Sequence, residues 1–354
     1  MNSKGNSQAS PRGRGTGARP ASRYASTTVE RDPAPPVDSV ATELRIERAR
    51  SIISRNNSPD VPFEQSINMY RGCEHGCIYC YARPAHAYVD LSPGLDFETI
   101  LFQKPDSVRL LREELARPGY RCRIINLGAN TDPYQPVEKT CRLTRGILEV
   151  FVETRHPVTI ITKGSLIRRD IDLLADLAAH DLASVAISLT TLDNEVKRRL
   201  EPRASSGTTR LALMEELSAA GIPVTALLAP VIPAITDHEL ESLLEAAAAH
   251  GATRAAYIFL RLPGEVAGLF KDWLEAHYPD RAEHVMSLVR QSRHGADSSS
   301  EFGERMRGSG VIADLLAQRF RLACRRLGLA QGEVRDLATD KFRPPSRGGQ
   351  QDLF

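Results

Sequence analysis

The sequence predicts an α/β fold of repeated βα units, a partial or full (β/α) barrel, with a helical C-terminal extension and disordered termini. Three observations lead there. Short β-rich runs alternate with amphipathic stretches about six times along the middle of the chain. Unusual polar clusters recur where those runs end, which is where such barrels carry their chemistry. Near the start of the series, Cys73-Glu74-His75-Gly76-Cys77-Ile78-Tyr79-Cys80 brings three thiols into one short loop.

Taken in order, residues 1–38 are rich in Gly, Ser, Pro and Ala and lack periodicity, so a disordered tail is expected. Lys4, Arg12, Arg14, Arg19 and Arg23 all precede the first acid, Glu30, making that tail basic and solvated. The barrel is expected over 39–262. Its strands are predicted at 97–102, 123–127, 158–162, 184–189, 224–228 and 255–260, where β-branched and aromatic residues concentrate. Helices are predicted between them at 107–116, 144–154, 170–179, 208–220 and 237–249, from apolar residues three and four apart such as Leu110, Leu111 and Leu115. Gly221 and Pro223 close the fourth helix, and Asp237 lies near the start of the fifth.

Residues 263–330 form the helical extension, with helices expected at 264–277, 281–291 and 305–327 and a polar loop at 294–303. In the last helix Val311, Ile312, Leu315, Leu316, Phe320 and Ala323 form an apolar stripe that should pack on the barrel. Arg319, Arg321, Arg325 and Arg326 are expected on a solvated face of it. Residues 331–354 are a flexible tail.

Composition narrows the function classes. With 42% hydrophobic and 25% charged residues, 354 residues suffice for one large core with appendages. The net charge of +2 creates no global field, so any nucleic-acid binding must come from a local patch. Cys122, Cys141 and Cys324 are isolated and make no disulfide framework, which suits a reducing cytoplasm. The longest uncharged apolar run, Ile222 to Thr236, is broken by Pro223, Pro230 and Pro233, so no membrane span is expected, and no secretory signal either.

Three close thiolates hold a metal centre and leave one coordination position open. Their softness selects iron–sulfur, zinc or copper(I). Zinc would need a fourth ligand, for which His75 and His86 are at hand, so spacing leaves both cluster and zinc open.

With Asn68-Met69-Tyr70-Arg71-Gly72 before it and Tyr81-Ala82-Arg83-Pro84 after it, the loop resembles the signature of the radical S-adenosylmethionine (SAM) enzymes. The resemblance implies the partial (β/α) barrel. It also implies a [4Fe-4S] cluster held by Cys73, Cys77 and Cys80, whose unligated iron binds the amino and carboxylate groups of SAM. One electron then splits SAM into methionine and a 5′-deoxyadenosyl radical that takes hydrogen from the substrate, with a reductase, flavodoxin or ferredoxin as electron donor.

Thr131-Asp132-Pro133-Tyr134-Gln135-Pro136, Thr162-Lys163, Glu201-Pro202-Arg203 and Ala229-Pro230-Val231-Ile232-Pro233 are similar to motifs of one branch, called DNA-repair-photolyase-like after its relative spore photoproduct lyase. The match runs from about Ile67 to Asp237. It implies Tyr79 along the adenine of SAM, Lys163 at its carboxylate, Ser188 as a further SAM contact, and Asn130 and Asp132 on the same face. It implies a nucleic-acid base as substrate, in DNA repair or lesion processing. One departure stands out: Asn130 falls where the lyase has a hydrogen-donating cysteine. A tyrosine, with Tyr70, Tyr81, Tyr88 and Tyr134 as candidates, or SAM itself would close the cycle instead. Two other readings are radical modification of a peptide or small molecule, and a zinc-stabilised binding module without catalysis. Finally, Gln350-Gln351-Asp352-Leu353-Phe354 follows a Pro/Gly/Ser linker and resembles the pentapeptide that docks bacterial proteins on the replicative sliding clamp, with Gln350, Leu353 and Phe354 as anchors.

Overall fold

A computed structural model describes residues 10–24, 39–332 and 336–345. The strands are β1 (Glu43–Ile46), β2 (Ile53–Arg55), β3 (Gln65–Ile67), β4 (Tyr70–Arg71), β5 (Ile100–Gln103), β6 (Ile125–Leu127), β7 (Val158–Thr162), β8 (Ala183–Ser188), β9 (Val224–Val231), β10 (Arg254–Phe259) and β11 (Ala330–Gln331). The helices are α1 (Leu95–Thr99), α2 (Ser107–Leu115), α3 (Glu138–Cys141), α4 (Leu143–Thr154), α5 (Ile171–Ala178), α6 (Asn194–Leu200), α7 (Gly207–Ala219), α8 (Leu240–Ala249), α9 (Val266–His277), α10 (Ala282–Gln291) and α11 (Gly310–Leu327).

Eight strands form one sheet in the order β11-β10-β9-β8-β7-β6-β3-β2. From β3 to β11 every neighbouring pair is parallel, and β2 runs antiparallel on β3. Because β3, β6, β7, β8, β9 and β10 lie side by side in chain order, each crossover returns the chain next to its own strand, and the sheet curls one way. Among the described residues the edge strands β2 and β11 do not pair, so the barrel is partial. Helix ends are set locally: Asp193 accepts from the backbone N–H groups of Glu195 and Val196 to start α6, and Ser206 accepts from Thr209 to start α7.

The strand expected at 97–102 is corrected. Leu95–Thr99 is helical, and β5 belongs to a separate three-stranded sheet, β1-β5-β4. The first barrel strand is β3, whose buried Gln65 and Ser66 carry no β-like pattern. A short apolar run such as Phe97–Phe102 does not by itself distinguish strand from buried helix. The last long helix starts at Gly310, not Arg305, after Gly308 and Gly310 take positive φ. Its buried side is Ala313, Leu316, Phe320, Ala323 and Cys324, while Val311 (84% exposed) and Leu315 (54%) face outward. At 100° per residue these two sit about 140° and about 100° around the helix from Leu316. Arg319 pairs with Glu241 at 2.6 Å and Arg326 with Glu245, both on α8.

Both terminal expectations are corrected where the chain is described. Residues 10–24 lie on the barrel: Arg14 is buried, the Ala18 carbonyl accepts from Leu95 N–H at 2.9 Å, and Arg23 pairs with Glu265 at 2.7 Å. Residues 336–345 also pack down, with the Phe342 ring 5.3 Å from Tyr120 and 5.4 Å from His156. Buried hydrogen-bond acceptors on the barrel, invisible from composition, hold these segments. The proposed clamp peptide, 350–354, lies outside the described residues.

Candidate active site

The C-terminal ends of the barrel strands open into a cleft of about 530 Å³. Cys73, Cys77, Cys80 and Tyr79 from the cysteine loop line it, as do Asn130 and Asp132 after β6, Lys163 after β7 and Ser188 at the end of β8. All eight residues singled out in the sequence therefore meet in one place. Cys122, Cys141 and Cys324 do not line it.

The cysteine loop is held by backbone and side-chain bonds on every side. Gln135, fully buried, accepts from Glu74 N–H at 2.9 Å and donates to the Gly72 carbonyl at 3.3 Å. Cys73 N–H donates to the Phe97 carbonyl at 3.0 Å, and Ile78 N–H to the Leu200 carbonyl at 3.1 Å. Arg83, fully buried, reaches the Cys77 carbonyl through Nε (3.0 Å) and Nη2 (2.8 Å) and pairs with buried Glu98 at 2.5 Å. Glu98 Oε2 in turn accepts from Gly15 N–H at 2.8 Å, and Arg14 donates to the Glu98 carbonyl at 2.6 Å. Arg203 N–H donates to the His75 carbonyl at 3.2 Å while its side chain pairs with Glu74 at 3.2 Å. Gly76 sits at φ +68°, and a Cβ there would lie 2.9 Å from Glu98 Oε2 and 3.1 Å from Pro202 Cγ, so only glycine fits.

On the cleft side, buried Glu201 organises the polar groups. Its Oε1 accepts from Tyr79 OH and from Thr190 Oγ1 (2.7 Å) and lies 3.3 Å from Lys163 Nζ, while Oε2 takes Arg210. Burial alone would raise the Glu201 pKa, but Arg210 and Lys163, with the Tyr79 and Arg210 hydrogen bonds, hold it well below the usual carboxylate range. Burial and the Glu201 charge push Tyr79 far up, so its hydroxyl stays protonated. Lys163 Nζ also donates to Ser188 Oγ and to the Ala229 carbonyl at 3.0 Å, and stands 5.9 Å from the centre of the Tyr79 ring.

Asp132 has both oxygens engaged: Oδ1 with Thr162 Oγ1 (2.6 Å) and Tyr134 N–H (2.8 Å), Oδ2 with Lys163 N–H (2.7 Å) and His75 Nδ1 (3.3 Å). It ties the cysteine loop to the end of β7. Asn130 is exposed, its N–H donating to Asn68 Oδ1 at 3.0 Å. Of the four candidate tyrosines only Tyr81 lines the cleft. Tyr70 is buried against Glu138, Tyr134 is buried, and exposed Tyr88 stacks on Tyr24 at 5.0 Å.

The donor set fits an iron–sulfur cluster better than zinc. Of the two histidines, His86 bonds the Ile100 carbonyl at 2.9 Å outside the cleft, its pKa pushed down to about 4 by burial, while His75 lines the cleft with Nδ1 3.3 Å from Asp132. Among the described residues no three His, Cys, Asp or Glu side chains converge on the position of a single metal ion. The three cysteines instead share the wall of a cleft with room for a larger group. Burial pushes all three thiols up, so it takes an electron-poor centre to hold them as thiolates.

Sequence reasoning missed Gln135's clamp, Glu98, Arg14 and Arg210. Glu201 lay in a quoted motif, but its partner on α7 had no local signal.

Comparison with known proteins agrees with this geometry. The radical SAM superfamily matches residues 67–247. An uncharacterised protein of Mycobacterium tuberculosis is 40% identical over 237 residues, covering 66% of this chain and 70% of its own length. A radical SAM Nalpha-GlyT isomerase of Pseudomonas phage M6 is 24% identical over 229 residues, 64% of this chain and 46% of the isomerase. Spore photoproduct lyase complexed with dinucleoside spore photoproduct superposes with a TM-score of 0.57 at 15% identity over 81% of each chain, a likeness of fold. On the family match, the relative and the cysteine-lined cleft together, the chain belongs to the radical SAM superfamily.

Proposed function

We propose that this radical SAM enzyme abstracts hydrogen from a nucleic-acid base, in DNA repair or lesion processing. The observation that carries the reading is one cleft whose lining includes both the three cysteines and the apolar residues Val61, Phe63, Leu227, Ile258, Phe259 and Met306. Such a lining suits a flat base taken out of its stack. The similar fold of spore photoproduct lyase, which was solved with a dinucleoside spore photoproduct, supports the same substrate class.

Cys73, Cys77 and Cys80 would hold the [4Fe-4S] cluster, and Lys163, Ser188 and Tyr79 would face bound SAM. The chemistry that cluster and SAM supply is one-electron cleavage of the sulfonium, ending in hydrogen abstraction. The chain's own contribution is positional. Glu201, 3.3 Å from Lys163 Nζ, would hold that side chain along the strand ends, and Asp132 fixes the loop that carries the cysteines. Tyr81, the one of the four candidate tyrosines that lines the cleft, would be the one to return a hydrogen atom, Asn130 carrying no thiol. The electron would come from a reductase, flavodoxin or ferredoxin in a reducing cytoplasm. No helix among the described residues is long and apolar enough to cross a membrane.

Anaerobic reconstitution tests the reading. The wild type should gain a brown absorbance, release 5′-deoxyadenosine from SAM, and carry deuterium from labelled ultraviolet-damaged DNA into that product. Cys77→Ala should lose the colour and the release. A Cys77→Ala protein that stays brown and active refutes the cluster assignment, and label arriving from a peptide rather than DNA refutes the substrate.

A further inference from the structure

We propose that Arg261, supported by Arg55, forms an anion subsite at the mouth of the cleft that takes a backbone phosphodiester of the substrate strand, an inference that rests on the nucleic-acid reading above. The cleft is lined by four cations, Arg55, Lys163, Arg261 and Arg305, against one carboxylate, Asp132. In a chain of net charge +2 that imbalance is local. Two of the four are already neutralised: Lys163 by Glu201 and Arg305 by Asp60. Arg55 and Arg261 have no carboxylate within ion-pair distance among the described residues.

Arg261 is the more telling. It follows β10 at the C-terminal end of the last barrel strand, half-buried, with its guanidinium 5.3 Å over the Tyr81 ring. The hydrogen bond found for it is to a weak acceptor, Met306 Sδ at 3.4 Å, and its Nε is buried without a partner. A guanidinium left in this state is costly unless something anionic completes it. A second arginine fixes the segment beside it. Fully buried Arg293 spends its donors on the carbonyls of Leu260 (2.9 Å), Glu304 (2.6 Å) and Arg305 (3.0 Å). It thereby pins the 304–306 segment that forms one lip. The other lip, residues 54–63, is joined to it by Arg305, which bonds Asp60 and Ser58. Burial, before any neighbouring charge, disfavours the charged form of Arg261, and a bound anion would favour it.

The planar fork of arginine matches two phosphate oxygens, and Tyr81 beneath it holds the fork in one plane. A base against the apolar residues of the same cleft would leave its flanking phosphodiester for Arg261. Phosphate contacts of this kind fix register and carry no sequence preference.

The test is fluorescence anisotropy with the full-length protein and a short fluorescein-labelled single-stranded oligodeoxynucleotide, repeated across a salt series. Arg261→Gln should weaken binding about tenfold and reduce the slope of log K against log salt by about 0.7, the share of one single-strand phosphate. Arg55→Gln, at an exposed position, should reduce the slope as well. Arg261→Lys keeps the charge but not the fork; it should retain the slope and lose a few-fold in affinity, and melting curves check that each variant folds. Unchanged affinity and slope in both glutamine variants overturns the subsite while wild-type binding leaves the nucleic-acid reading standing. A wild type that binds no oligonucleotide overturns both. Arginine-261-dependent capture of an acidic peptide in place of the oligonucleotide overturns the phosphodiester assignment.

Discussion

At the scale of single residues, the site turns on Glu201. One buried carboxylate receives Tyr79, Thr190, Lys163 and Arg210. Buried ion pairs of this kind add little against apolar isosteres, but breaking one leaves a stranded charge. Glu201→Gln should therefore cost about 3 kcal/mol in denaturant unfolding at neutral pH. The sign with pH follows from the depressed folded pKa. The stabilisation is fully present above the ordinary value of 4.5 and fades as pH falls through the lower folded value. The gap between wild type and variant should shrink in acid, and a gap independent of pH would mean that the charge is not what matters. Gln135 and Asp132 teach the same lesson: their positions in a recognised motif were visible, but their tasks, clamping the cysteine loop, depend on which backbone atoms they meet.

At the scale of elements, residues 10–24 form a strap across the back of the cysteine loop. Gly15 approaches so closely that a Cβ there would lie 1.9 Å from the Gly76 carbonyl oxygen. Arg14 extends the contact through Val40 (2.7 Å), Thr42 (3.0 Å) and the Glu98 carbonyl. Arg14→Gln should lower stability by about 2 kcal/mol, the worth of one charged hydrogen-bond set in a buried site. It should also speed bleaching of the reconstituted protein by an iron chelator. Equal bleaching rates would reduce the strap to a passive covering. The helices and long strands needed no such contacts to be legible. α2, α4, α5, α7 and α8 each bury an apolar face of helical period, and β7 matches its expected span of 158–162. β3 and β4, at three and two residues, are too short to carry a period and exist because neighbouring strands supply their hydrogen bonds.

At the scale of the whole molecule, chemistry and recruitment would be divided between the barrel and the C-terminus. We expect that deleting Gln350 to Phe354 abolishes pull-down of the replicative sliding clamp while SAM cleavage persists. Clamp capture by the truncated chain would refute the docking peptide. The sequence alone determined the βα order, the strand ends that carry polar residues and the cysteine spacing, because period and spacing are local properties of a chain. Only the tertiary structure decided that residues from the N-terminal segment, α1, α7 and the loop after β6 converge behind and beside three thiols, and that among the described residues Arg261 has no acid within ion-pair distance. Burial and charge balance at a point in space are sums over segments far apart in the chain, and no window of sequence contains them.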